Sequence, residues 1–301
     1  MDFSKIKIQP SRIGVVMSEP KGIMSEAMQL ELARLKIKDT LTQNQEWRLA
    51  DLQYRQDNYD PKRVAGACES YLINLYGYLK YGRRPIMKGD APIQLIKGIK
   101  SEIRATEMVE RVTAQKLYRY KSKLSNPYLN GQLDVLDAKK IEDSKIIVEV
   151  KNSLRLGWFL KSSKEPLPMK IFYQMQGYFA LTGKERGVVY NCLVDMPDHI
   201  IQEQYDLLAA ELCPDGVMTD LFEEEWAEKE RGFRFQDIPE EERIIPFYVE
   251  RDEKIIELIY EKIDICREWL AKFEQTHKSK TYGIVLDQQE NNTKNYPANA
   301  Y

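Results

Sequence analysis

Two charged residues interrupt an apolar run in the segment IIVEVKNS, residues 146–153. Side chains alternate between faces along a strand, so Glu149 and Lys151 would share one face with Ile147. Burying charged groups is costly unless they are paired, hydrogen-bonded or bound to a metal ion. A carboxylate and an ammonium group on one face of a buried strand therefore need either a structural partner or a chemical task.

A third ionisable residue, Asp134, lies in the preceding segment GQLDVLD and faces opposite to its neighbours Leu133 and Val135. If the two segments form adjacent strands, Asp134 converges with Glu149 and Lys151. Carboxylate oxygens suit Mg²⁺ or Mn²⁺, which are held by one or two carboxylates together with water and substrate phosphates. The three residues therefore predict metal-assisted chemistry at a phosphate, with the lysine orienting or deprotonating the attacking water.

The elements that position these residues follow from hydrophobic periodicity and turn signals. We predict helices over residues 24–57, 62–81, 91–114 and 168–182, with Gly183 closing the last one. Three successive strands are predicted in KLYRYKSKL, NGQLDVLD and KIIVEVKNS, with turns at Asn130-Gly131 and KKIEDSK. Further strands are predicted in GVVYNCLV and RIIPFYV, separated by an acidic, loop-rich stretch. Asp252 is predicted to cap an amphipathic helix, and residues 277–301 are predicted to be a polar tail.

Composition excludes several kinds of site. The 301 residues are 43% hydrophobic, which is enough for a sizeable core. Four scattered cysteines without a C-x-x-C pair predict reduced thiols, and they fit neither a zinc site nor an iron-sulfur cluster. Two histidines leave little for zinc catalysis or a Ser-His-Asp triad. The apolar runs are too short to span a membrane and the first residues lack a signal-peptide core, so we expect a cytoplasmic protein.

Charge is distributed unevenly along the chain. Residues 80–123 contain twelve Lys or Arg against four acids, whereas residues 195–243 contain sixteen acids against four bases. One face can therefore attract phosphate although the formal net charge is -2. Solvated helix faces of either sign explain the pattern equally well.

The motifs and their order resemble the PD-(D/E)xK nucleases. Asp134, Glu149 and Lys151 match the signature, although no proline precedes Asp134. The segment KGIKSE, with Gly98 and Glu102, is similar to the first motif of lambda-exonuclease-like and RecB-like members. The segment YQMQGYFALTG, with Gln174, Gln176 and Tyr178, is similar to the glutamine-containing helix of the same members. The resemblance covers residues 80–195 and is greatest to YqaJ-like viral recombinase exonucleases. QPSRIGVVMSEPKG and VERDEKIIELIYEKI resemble the opening segment and the C-terminal helix more weakly.

This resemblance implies an α/β (α+β) fold with a restriction-endonuclease-like core, in which helices flank a central mixed sheet. It implies a helical N-terminal extension over residues 1–90, a nuclease core over 91–276 that includes an acidic insertion and the C-terminal helix, and the tail. Asp134, Glu149, the Val150 carbonyl and Glu102 would hold Mg²⁺ or Mn²⁺, and Lys151 would activate water. Gln174 and Tyr178 would support the site or contact the strand, and DNA contacts are expected from the following residues: Arg83, Arg84, Lys88 and Gln176.

The implied activity is DNA exonuclease action in phage or mobile-element recombination. The implied substrate is DNA, a single-strand annealing or recombinase protein is an allowed partner, and a homo-oligomeric ring is an allowed assembly. A catalytically silent nucleic-acid-binding or assembly module and an endonuclease remain as alternatives. Glu149 and Lys151 could also be a solvent-facing pair on an edge strand, and Trp158 and Phe159 are expected in the core more than on a base-stacking platform.

Overall fold

The computed structural model describes residues 1–20, 24–57, 60, 62–83 and 93–293. These residues form two compact units. One unit is helical and contains residues 1–7, 15–85 and the chain from residue 258. The other contains residues 8–14 and 86–257 and carries the sheet. The domain boundaries expected at residues 90 and 276 stay predictions.

Helices come first along the chain, a run of strands follows, and helices separate the last strands. The helices are α1 (Pro10–Val16), α2 (Glu26–Lys36), α3 (Gln43–Asp57), α4 (Gly66–Tyr81), α5 (Ile93–Thr113), α6 (Leu156–Ser162), α7 (Met169–Thr182), α8 (Asp198–Leu212), α9 (Asp220–Arg231) and α10 (Glu253–Thr293). The strands are β1 (Tyr118–Arg119), β2 (Leu124–Ser125), β3 (Asn130–Gly131), β4 (Val135–Leu136), β5 (Ile147–Asn152), β6 (Arg186–Cys192) and β7 (Ile244–Glu250).

The central sheet has the strand order β1-β4-β5-β6-β7. Strands β5 and β6 are parallel, with Lys151 paired to Asn191, whereas the other neighbours are antiparallel. The connection from β5 to β6 runs through α6 and α7, as a parallel pair requires a crossover. The mixed sheet with flanking helices confirms the predicted fold class. Because β5 lies inside the sheet, the solvent-facing edge-strand interpretation of Glu149 and Lys151 is wrong.

The two faces of β5 are covered by different helices. Helix α5 packs on β5, and its Ala105, Met108 and Val109 share one core cluster with Val148 and Val150. Helix α7 packs on the same strand and buries Met175 and Phe179. Gly183 ends α7 in the left-handed conformation at φ 71°, as predicted. Burial of both faces places the charged side chains of β5 in a low-dielectric environment.

The first two predicted strands are shorter than expected. The segment KLYRYKSKL forms two separate strands, β1 and β2, which belong to different sheets. The turn predicted at Asn130-Gly131 lies instead at residues 126–129, because the Asn126 side chain accepts hydrogen bonds from the backbone N–H groups of Tyr128 and Leu129. Asn130 and Gly131 form β3, which pairs with β2.

The acidic stretch predicted to be rich in loops contains two helices, α8 and α9. Thr219 caps α9 by accepting a hydrogen bond from the Phe222 N–H at 3.2 Å, and Phe222 is buried. Ile200 and Ile201 are buried on α8. A narrow apolar stripe is therefore sufficient to pack each helix against the protein, while the acidic side chains stay on the outer faces.

The helical unit differs from prediction at two places. The helix expected over residues 24–57 is interrupted between Lys36 and Gln43, where Thr42 starts α3 and its N–H donates to the Gln45 side chain. Asp252 caps α10 as predicted, but the polar tail expected from residue 277 is helical as far as Thr293. Residues 253–293 contain no proline, which would end a helix.

None of the helices in the described ranges is long and apolar enough to cross a membrane.

Candidate active site

Glu149 is the most deeply buried of the three predicted acids, with 1% of its surface exposed. Its Oε1 accepts a close hydrogen bond from Lys151 Nζ and a second one from Gln174 Nε2 at 2.9 Å. Its Oε2 is buried without a hydrogen-bond partner among the described residues. One oxygen is thus fixed by two donors while the other is available to a ligand.

Burial raises the pKa of Glu149 to about 7, and the nearby Asp134 acts in the same direction. The Lys151 ammonium group and the two hydrogen bonds act in the opposite direction and offset only part of this effect. A bare carboxylate is therefore unfavourable here, and a cation beside it would stabilise its charged form.

Asp134 and Glu102 are partly exposed and complete a cluster of three acids. Burial raises the pKa of Asp134, although Lys151 acts against it. Burial and the proximity of Asp134 likewise raise the pKa of Glu102. Glu102 accepts a hydrogen bond from Arg119 Nη2 at 3.2 Å, which fixes its position on α5. Three acids face two cations, so the cluster carries more negative than positive charge.

Lys151 is the cation closest to the acids. Burial works to lower the pKa of Lys151, but Glu149, Asp134 and Glu102 outweigh it and raise the pKa above its ordinary value. The side chain is therefore an ammonium group at neutral pH. In this state it can donate hydrogen bonds to water or phosphate, but it does not act as a base. Of the two roles expected for Lys151, orienting the attacking water therefore fits, whereas deprotonating it does not.

Helix α7 supports the site from behind β5. Gln174 donates to Glu149 and also to Tyr178 Oη at 3.3 Å, and both α7 side chains are buried. Burial raises the pKa of Tyr178, so its hydroxyl stays protonated. The expected supporting role fits these contacts, because Gln174 is only 7% exposed and Tyr178 only 5%.

The DNA contact expected from Gln176 is wrong. Gln176 is 0% exposed. Its amide nitrogen donates to the Glu250 carbonyl at 2.8 Å, and its oxygen accepts from the Asp252 N–H at 2.9 Å. The side chain joins α7 to the connection between β7 and α10 and has a structural role.

An open cleft of about 790 Å³ lies over these residues. Its walls come from the segment before β4, from strands β5, β6 and β7, and from helices α1, α5, α6 and α7. The following residues of the predicted site line it: Glu102, Asp134, Val150, Lys151 and Gln174. The sheet therefore brings the separate sequence motifs to one surface, as the resemblance implies.

The N-terminal segment contributes residues that the sequence analysis did not assign. Ile8 bonds to the backbone on both sides of Leu129, and α1 then starts at Pro10, a position that suits proline. A Cβ atom on Gly177 would lie 2.2 Å from Ile13 Cδ1, so a larger residue would displace the Ile13 side chain where α1 contacts α7. The contact places Ser11 and Arg12 in the cleft wall. The signal in the sequence was the segment QPSRIGVV.

Further positive charge comes from Lys170, which is exposed at the start of α7 and lines the same cleft. Of the three cations expected to contact DNA, only Arg83 is among the described residues, and its DNA contact stays a prediction. Arg83 is exposed just after α4 in the helical unit, and Arg84 and Lys88 lie outside the described residues. The cleft thus receives positive charge from Arg12 on α1 and Lys170 on α7 as well as from Lys151.

The donor set fits a hard divalent cation. Glu149 has a buried oxygen without a hydrogen-bond partner among the described residues, and Asp134 and Val150 line the cleft. Within the described ranges, no three His, Cys, Asp or Glu side chains are grouped closely enough to form a complete metal site. An incomplete set of carboxylates suits Mg²⁺ or Mn²⁺, which retain water and bind substrate phosphates.

Two solved structures share this fold. A phage-related exonuclease from Haemophilus somnus 129PT aligns with a TM-score of 0.59 and 16% identity over 91% of this chain and 97% of its own. The alkaline exonuclease LHK-Exo from Laribacter hongkongensis aligns with a TM-score of 0.52 and 13% identity over 92% of this chain and 94% of its own, and it has also been solved in complex with dAMP. No protein-family model matches the sequence, and no curated protein does either.

Proposed function

We propose that the protein is a Mg²⁺- or Mn²⁺-dependent DNA exonuclease that acts in phage or mobile-element recombination. The observation that carries the proposal is the buried Glu149, whose one oxygen is held by Lys151 and Gln174 while the other lacks a partner among the described residues. The fold shared with two exonucleases supports it.

The residues of the cleft divide the work of phosphodiester hydrolysis. Asp134, Glu149 and the Val150 carbonyl would hold the cation, and Glu102 would bind its water shell or a second position. When bound there, the cation offsets charge on a phosphoryl oxygen and makes water more acidic. The Lys151 ammonium group, fixed by Glu149, donates a hydrogen bond that orients the attacking water. Gln174 keeps Glu149 in place and is itself aligned with Tyr178.

Substrate binding relies on the cations around the acids. Arg12 and Lys170 lie on the cleft wall as exposed side chains, so they can pair with backbone phosphates without losing an existing buried contact. Such contacts fix the position of the strand and carry no sequence information. The cleft therefore favours an enzyme that digests DNA of any sequence.

The test is cleavage of linear and of covalently closed circular DNA with Mg²⁺, with Ca²⁺ and with a chelator. We expect Mg²⁺-dependent digestion of linear DNA only. Equal cutting of the circle would identify an endonuclease. DNA binding with no cleavage under any condition would identify a silent binding module.

A further inference from the structure

Trp158 is exposed on the short helix α6, in which Phe159 is the buried residue. Helix α6 directly follows the Glu149–Lys151 strand, and its Phe159 packs in a core cluster with Leu193 and Phe235. The neighbouring Trp158 is 53% exposed and lines the same cleft as Lys151. A large aromatic ring beside the charged site contrasts with the core position expected from the sequence.

Helix α6 is tied to the sheet next to the catalytic strand. Asn191, which pairs with Lys151 in the sheet register, donates from Nδ2 to Ser162 Oγ at 2.8 Å. Its Oδ1 accepts a hydrogen bond from Ser153 Oγ at 2.9 Å. Ser162 is four residues after Trp158, so both side chains lie on one face of α6. These bonds fix the end of α6 relative to the strands that carry Lys151 and Asn191.

The ring also has a charged neighbour. The guanidinium group of Arg155 lies 5.5 Å from the centre of the Trp158 ring, within the range of a cation–π contact. Arg155 is exposed. The contact limits the motion of the indole and adds positive charge at the rim of the cleft, where a nucleic-acid backbone would enter.

We propose that Trp158 is a nucleobase-binding residue on which one base of the bound strand stacks, close to the phosphate held at Lys151. The proposal rests on the nuclease function and adds a base contact to the phosphate contacts. Every base presents a π-face, so stacking on an aromatic ring tolerates any sequence. A single exposed apolar residue needs no explanation by itself, but this ring lies in the wall of the candidate active site.

The experiment compares linear duplexes that carry one abasic nucleotide at the first, second or third position from an end. We expect wild-type kcat/KM to fall about 10-fold when the base that stacks on Trp158 is missing, which is within the range for one stacked base. Trp158→Ala should cleave the intact duplex about 10-fold more slowly and lose no further rate on the abasic duplex. Trp158→Phe should retain part of the abasic effect, and Trp47→Ala, at an exposed tryptophan on α3, should behave like wild type.

Two results would overturn the stacking role: a wild-type enzyme indifferent to all three abasic positions, or a Trp158→Ala variant that keeps the full wild-type preference for intact DNA. Failure of the wild-type protein to cut any intact duplex would instead refute the nuclease proposal. Affinities for the same duplexes in chelator would then decide the stacking role, since equal affinity for intact and abasic DNA would refute it.

Discussion

Replacing Glu149 by glutamine should abolish a loss of stability that the metal-free protein undergoes as the pH rises from 4.5 to about 7. Burial raises the pKa of this carboxyl group from 4.5 to about 7, which corresponds to about 3 kcal/mol. With 1% of Glu149 exposed, solvent screening does not reduce this value. Because the folded state holds the proton more tightly, the stabilising contribution is complete below pH 4.5 and is lost as the pH rises to about 7. Glutamine does not titrate, so the variant avoids this loss.

The assay is urea unfolding in chelator at several pH values between 4.5 and 7.5. The free energy of unfolding of Glu149→Gln should gain about 3 kcal/mol relative to wild type across this interval. In wild type, the raised pKa of Lys151 affects stability only at alkaline pH, above the measured interval. Asp134 titrates in both proteins, so its contribution largely cancels. Glu185→Gln, at an exposed carboxylate, is the matched control and should follow wild type.

The free energy of unfolding could instead change with pH in the same way for wild type and Glu149→Gln. That result would refute the claim that burial makes this carboxylate unfavourable. Mg²⁺ provides a second readout at pH 7.5. It should raise the unfolding midpoint of wild type, because an ion that binds only the folded state stabilises it. It should have a much smaller effect on Glu149→Gln, which lacks the charged oxygen.

Three further predictions concern the metal, the DNA and the assembly. Mg²⁺ or Mn²⁺ should restore cleavage after chelation while Ca²⁺ binds without turnover, and cleavage that is indifferent to chelator would rule out metal dependence. Arg12→Ala combined with Lys170→Ala should weaken DNA binding for all sequences and lower the slope of log affinity against log salt by about 2. Lys254→Ala, outside the cleft, is the control and should change neither. An unchanged slope in the double variant would place the DNA elsewhere. Light scattering at several salt concentrations should give the mass of a ring-forming oligomer, and a monomer at every concentration would contradict it.

Local patterns predicted the elements that carry the acids and the lysine. The alternation around Glu149 and Lys151 correctly placed both on one face of a strand, and Gly183 correctly ended the helix behind it. Asp252 was likewise recognised as a helix cap from its position before an amphipathic segment. Each of these signals depends on residues that are close in sequence, so it is visible before the fold is known.

Long-range packing decided what the sequence did not predict. Gln176 has the same residue type as Gln174 and lies two positions away, but it faces the β7–α10 connection and not the site. Arg12 reaches the cleft because α1 contacts α7, where Gly177 leaves room for the Ile13 side chain. The helices of the acidic stretch were missed because their apolar stripes are narrow. The site could thus be predicted in its centre but not at its rim, where residues distant in sequence meet.

The central claim is that the cluster around Glu149 and Lys151 hydrolyses DNA. Its most direct test is the rate at which Lys151→Ala releases nucleotides from end-labelled linear DNA in Mg²⁺, measured at saturating DNA. The loss of a positioned hydrogen-bond donor should lower the rate by about 100-fold or more, while DNA affinity in Ca²⁺ stays close to that of wild type because Arg12 and Lys170 are unchanged. A variant that releases nucleotides at a rate close to wild type would contradict the assignment of the site.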